Sequence, residues 1–192
     1  FFLYRLTVYD NSPIQKVASR IIEMDLTSGG YANNIDYELT ARDAYMDMLN
    51  EPNTMDTLDR RVTQFYTSPD LWNRKTGTVN YEHQWAEYDS SATDSNYIFI
   101  RVRNTGCKMY NAATSQHYVK LYWTVASTGE KWKNDWDGTT KLPGSAGGYV
   151  PGGGELTTGY GIPIHDLEPG ETAIIRRGWK PPNPYSYTGM PY

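Results

Sequence analysis

A chain of 192 residues allows one ordinary domain, or one domain with an arm, and its net charge of −4 (pI near 5.4) offers no basic field to nucleic acid. Hydrophobic residues make up 39% and mean hydropathy is −0.67, which suits a β-protein in which 17 tyrosines and 6 tryptophans carry much of the apolar area. No run reaches the roughly 18 apolar residues of a membrane-inserted helix, and the single cysteine, Cys107, excludes an internal disulfide framework.

The chain opens Phe-Phe-Leu-Tyr with neither an initiator Met nor a signal peptide, and is expected to be a processed product or a piece of something longer. Phe1 to Asp10 is dense in aromatic and β-branched residues and is stopped by Asn11-Ser12-Pro13, a strand followed by a turn. Ile14 to Thr27 admits a helical face through Ile14, Val17, Ile21 and Ile22; the Ile-Glu-Met-Asp-Leu-Thr run before Ser28-Gly29-Gly30 favours a strand. Tyr37 to Tyr66 is charged and sparsely apolar. Asp43 to Glu51 fits either one short helix ended by Pro52 or an irregular arm. Residues 1–67 are therefore expected to form an extended N-terminal arm or partial strand-rich segment. Ser68-Pro69 opens the main domain, 68–192, with a short strand that turns Trp72 inward.

The central stretch, Asn96 to Ser127, organises that domain. Ile98, Ile100 and Val102 alternate with Tyr97, Phe99, Arg101 and Arg103; Val119, Leu121, Trp123 and Val125 alternate with Tyr118, Lys120, Tyr122 and Thr124. A period of two sends one set to a buried face and the other to a wetter one. The polar segment Asn104 to Gln116, with Gly106, suits a connection between two antiparallel strands. These strands are expected at the centre of an all-β sandwich. Lys131 to Gly154, with its glycines, is expected as a surface loop. Gly161-Ile-Pro-Ile restores order, Glu168-Pro169-Gly170-Glu171 reads as a type II turn, and Ala173 to Trp179 as another strand. Pro181-Pro182-Asn183-Pro184 is extended.

Chemistry is sparse. His83, His117 and His165 stand far apart, without His-Glu-x-x-His or Cys-x-x-Cys spacing, so no metal site is assigned. Cys107, at a strand end, reads as a small semi-buried side chain rather than a nucleophile. No Gly-x-Ser-x-Gly elbow occurs, and Gly152 to Gly154 lacks the Lys-Ser/Thr of a phosphate-binding loop. Asp135 and Asp137 sit two apart before Gly138, but Lys133 and Gly144 occupy the first and closing positions of a calcium loop, so only a looser Ca²⁺ site is left open. Glu82 with Glu87, or Glu168 with Glu171, could be nominated as a carboxylate pair; nothing brings either pair across a cleft. No catalytic residue and no cofactor are assigned. The remaining signal is aromatic: Trp132, Trp136 and Tyr149 lie in the loop-like stretch, either as exposed ligand-binding groups or, for the tryptophans, folded back as a lid over the sandwich edge.

Taken in order, Ser68-Pro-Asp-Leu-Trp-Asn-Arg, Asn96-Tyr-Ile-Phe-Ile-Arg-Val-Arg-Asn-Thr-Gly-Cys, Lys120-Leu-Tyr-Trp-Thr-Val-Ala-Ser-Thr-Gly, Trp136-Asp-Gly, Leu167-Glu-Pro-Gly-Glu and Trp179-Lys-Pro-Pro-Asn-Pro resemble an Ig-like β-sandwich module of large secreted or surface proteins of Bacteroidetes-type bacteria, many exported by the type IX route. The similarity covers about Asp43 to Tyr192. It implies an extracellular or cell-surface location and a non-enzymatic structural, spacer or adhesive role, as a filament or assembly subunit; the alternative is a carbohydrate- or protein-binding accessory domain of a secreted protease or hydrolase. Two departures stand out. His83-Gln-Trp-Ala-Glu-Tyr replaces an expected His-Gln-x-Pro-Glu-Tyr, and a further apolar strand expected after Pro184 is missing. The resulting open edge makes Phe1 to Asp10 a candidate to add a strand to its own sheet or to that of another copy or protein partner. Asp56-Thr57-Leu58 fits the short O-glycosylation sequon of these bacteria, which nominates Thr57 for modification. A glycan is a further candidate ligand.

Overall fold

The computed structural model describes the backbone of residues 2–7 and 18–24 and residues 37–42, 68–94, 96–125 and 133–188. Strand β5 (Asn96–Asn104) is the centre of one sheet. Strand β11 (Thr172–Trp179) pairs antiparallel along one side of it; β3 (Leu39–Thr40) and β4 (Leu71–Arg74) follow one another along the other. Strand β6 (Tyr118–Val125) is the centre of the second sheet. Here β2 (Ala18–Met24) lies between β6 and β1 (Phe2–Thr7), while β9 (Gly153–Glu155) and β10 (Ile162–Pro163) share the far side of β6. A separate hairpin joins β7 (Lys141–Pro143) to β8 (Tyr149–Pro151). Pro184–Ser186 forms one 3₁₀ turn after the extended prolines. The chain is all-β, as expected. Strands from before residue 68 pair into both large sheets, and β1 pairs within its own chain.

The alternation does what its period predicts along β5 and the first half of β6, whereas Trp123 and Val125, expected on the buried face, are only half-buried. Ile98, Ile100 and Val102 meet Val119 and Leu121 in one apolar cluster with Leu39, Leu71, Tyr110, Ile164, Leu167, Ala173, Ile175 and Trp179, so the two sheets face each other as a sandwich. The two strands nevertheless do not pair with each other. They sit in opposite sheets, and the segment expected as an intra-sheet connection instead crosses between layers. Two buried residues hold that crossing. Asn104 accepts from the Glu38 and Gly106 N–H groups and donates to the Lys108 and Leu167 carbonyls. The Tyr110 hydroxyl accepts the His117 N–H at 2.8 Å, and burial raises its pKa above the usual phenol value. Buried polar groups of this kind are tolerated because they are hydrogen-bonded.

The wetter faces are not wet. On β6, Tyr122 and Thr124 are buried, the former under Trp136. On β5, Phe99 is buried with Trp72 stacked on it at 5.5 Å between centroids. Register decides this: Leu71 opposite Ile100 joins the sandwich core, which puts Trp72, opposite Phe99, on the other face. Trp72 is thus turned away from the sandwich interior, not into it, and is covered on its own side.

The stretch expected as a surface loop, 131–154, carries the β7–β8 hairpin and β9. Gly153 is placed by contact. A Cβ on Gly153 would stand 2.0 Å from the Asp135 carbonyl oxygen and 2.7 Å from that of Trp123, so only glycine lets this strand slide between β6 and the turn at 133–138. The type II turn forms as read, with Gly170 at φ +77° and the Glu171 N–H on the Glu168 carbonyl.

Candidate functional site

The residues singled out by chemistry go mostly to scaffolding. His117 Nε2 lies 3.0 Å from the Tyr37 hydroxyl, His83 Nδ1 accepts the Asn73 N–H, and His165 Nδ1 sits 2.7 Å from the Asp166 carbonyl. Cys107 is exposed. Asp135 accepts from Thr140 Oγ1 and Asp137 from the Thr139 N–H; bonding to the Thr139 side chain, then to its N–H, draws the Asp137 carboxyl below its ordinary pKa. No group of three or more metal-ligating side chains converges among the described residues. Glu82 and Glu87 are exposed and face Arg74 and Lys75 respectively, while Glu171 closes its turn on the Glu168 N–H. Both buried asparagines at the other end of β5 are likewise structural: Asn73 accepts from Trp179 Nε1, and Asn96 binds both backbone groups of Glu87.

The three aromatic candidates separate. Trp136 is 1% exposed and packs on Tyr122, the folded-back arrangement, and so presents no surface to a ligand. Tyr149 is 77% exposed on β8. Trp132 lies outside the described residues, as does Thr57. A neighbour that patterning did not single out joins Tyr149. The segment after the prolines bonds along β7: Gly144 bridges to Tyr187, the Ser145 hydroxyl donates to the Tyr185 carbonyl, and Thr188 N–H to the Pro143 carbonyl. Tyr149 lies opposite Pro143 in the hairpin, so exposed Tyr185 and Tyr149 flank one hairpin end.

A second constellation was not visible from spacing. On the outer face of the β5 sheet the fully buried carboxylate of Asp70 is held by Arg42, Arg101 and Arg103. Arg103 binds it through both Nη atoms, Nη2 to Oδ1 at 2.9 Å; Arg42 adds its backbone N–H at 2.9 Å and its Nε at 3.3 Å. Burial by itself raises the Asp70 pKa, but the bonds from Arg103 and Arg42 outweigh it and hold the carboxyl below the usual range. Arg101 also lies over the Tyr81 ring at 4.4 Å and the Trp72 ring at 5.6 Å. The one available sequence signal is the pair of arginines two apart on the non-core face of β5. Compared with known proteins, the sequence matches no family model, no curated protein and no solved structure.

Proposed function

We propose that this chain is a non-enzymatic β-sandwich module that makes structural or adhesive contacts in an extracellular or cell-surface assembly. The exposure of Tyr149 (77%) and Tyr185 (66%) at one hairpin end carries the reading: tyrosines offer large contact area at low conformational cost, and such groups mark recognition surfaces. The order of phrases resembling Ig-like surface modules supports the location, and the scaffolding duties of the histidines and carboxylates fit a protein whose polar groups serve its own fold. Contact with a carbohydrate or a protein through the same tyrosines, as an accessory domain of a secreted hydrolase, is the second form of this reading.

The test is a bead-adhesion assay with protein and glycan arrays. Wild-type protein should adhere or self-associate, and Tyr149→Ser with Tyr185→Ser, folded by circular dichroism, should not. Turnover of a peptide, ester or glycoside reporter by the purified chain, abolished by a single substitution, would sink the proposal.

A further inference from the structure

Among the described residues, the face around Asp70 carries an excess of positive charge: three guanidiniums converge on one carboxylate, two more positive than negative charges in the cluster. Arg42, Arg101 and Arg103 retain only 28%, 19% and 17% of their side-chain exposure, so water screens that excess incompletely. Among the described residues, the same strip holds three buried polar atoms with no hydrogen-bond partner: Thr40 Oγ1, Trp72 Nε1 and Arg74 Nε. Thr40 stands directly opposite Arg103 in the strand register, and the Trp72 ring lies against the Arg101 guanidinium.

Their chemistry is of one kind. Indole and guanidinium N–H groups only donate, and a threonine hydroxyl can donate. Left alone they are an unfavourable burial of polar groups; an acceptor satisfies them, and the neighbouring guanidiniums favour one that carries negative charge. We infer that the outer face of the β5 sheet is a binding site for an oxyanion group of a ligand (sulfate, phosphate ester or carboxylate), seated over Arg101 and Arg103 with Thr40 and Trp72 as flanking donors. The backbones of Arg101 and Arg103, two residues apart on one strand face, stand about 7 Å from each other, so one oxyanion can reach the N–H groups of both guanidiniums that Asp70 leaves unused. Asp70 positions these arginines from beneath. The site is separate from the tyrosine-bearing hairpin end.

Equilibrium dialysis with labelled inorganic sulfate, and in parallel with acetate, tests this at fixed ionic strength. One saturable site per chain is expected for at least one of the two, and the anion preferred tells a tetrahedral from a planar head group. Arg101→Gln removes the guanidinium with the longest bond to Asp70 (3.4 Å) and should abolish binding. Thr40→Val keeps shape and takes away one donor; it should weaken binding about tenfold, while Tyr149→Ser leaves it unchanged. Absence of saturable binding of either anion by folded wild-type protein, or equal binding by Arg101→Gln, would overturn the inference and assign the excess charge to diffuse counterions or to the chain's own carboxylates.

Discussion

Replacing Asp70 by Asn keeps the shape and removes the charge that three arginines share. The carboxylate takes six donor contacts, three on each oxygen: Oδ2 from the Arg42 N–H, Arg42 Nε and Arg103 Nη1, and Oδ1 from Arg42 Nη2, Arg103 Nη2 and Arg101 Nη1. An amide turns three of these into donor facing donor and leaves the guanidiniums without a counter-charge. Removing one partner of a buried ion pair costs about 3–5 kcal/mol. The arginine side chains keep 17–28% exposure, so solvent recovers part of this, and about 3 kcal/mol is expected. Urea unfolding followed by tryptophan fluorescence should show the midpoint falling by about 1–2 M.

The pH dependence has a definite sign. Because folding holds the Asp70 carboxyl below its ordinary 3.8, its contribution is complete above that value and is lost as pH falls through the lower folded-state value. The gap between wild type and Asp70→Asn should therefore be constant above about pH 5 and close in acid. A variant within about 1 kcal/mol of wild type at neutral pH, or a gap that widens in acid, would refute this account of the cluster.

Other substitutions separate packing from display. Trp136→Ala should cost about 3–5 kcal/mol by chemical denaturation, whereas Tyr149→Ala stays within about 0.5 kcal/mol. Gly153→Ala puts a Cβ against two backbone carbonyls that cannot swing aside, and should leave too little folded protein for a cooperative transition. Tyr110→Phe strands the buried His117 N–H and should lower stability by about 1–3 kcal/mol in the same assay. Burial pushes the Tyr187 phenol up to about 12, so its share of stability is intact below the ordinary value of 10.0 and is lost as pH rises from there through about 12. Absorbance titration near 295 nm should show late-ionising tyrosines, one of which Tyr187→Phe removes.

The core was legible in the sequence because a half-buried strand leaves a mark at every second residue: Ile98, Ile100, Val102, Val119 and Leu121 all lie where that period puts them. The Glu168–Glu171 turn was legible because Pro169 and Gly170 each supply a backbone angle the turn needs. Sheet membership was not, since alternation reports which face a residue takes and nothing about which neighbour its strand chooses. The β7–β8 hairpin was hidden because only Leu142 and Val150 are half-buried in it, too few to set a period. Tryptophan burial was equally opaque. Trp136 lies outside any alternating run and finds its cover on Tyr122, a residue the pattern assigns to the wetter side. The arginine cluster draws on Asp70 and residues 31 and 33 positions further on, and no local window reports a meeting over that separation.

Along β5 the two short partners Leu39–Thr40 and Leu71–Arg74 act as one interrupted edge, and the chain that departs after Arg42 comes back where the Ser68 hydroxyl meets the Arg42 carbonyl at 2.5 Å. Both ends of the intervening stretch are thus pinned at a single point, fastened again by Asp70 on the Arg42 backbone. Doubling the length of such a closed excursion adds only about 0.6 kcal/mol of loop entropy. Foreign sequence spliced in at this point would therefore add little closure entropy to the cost of folding.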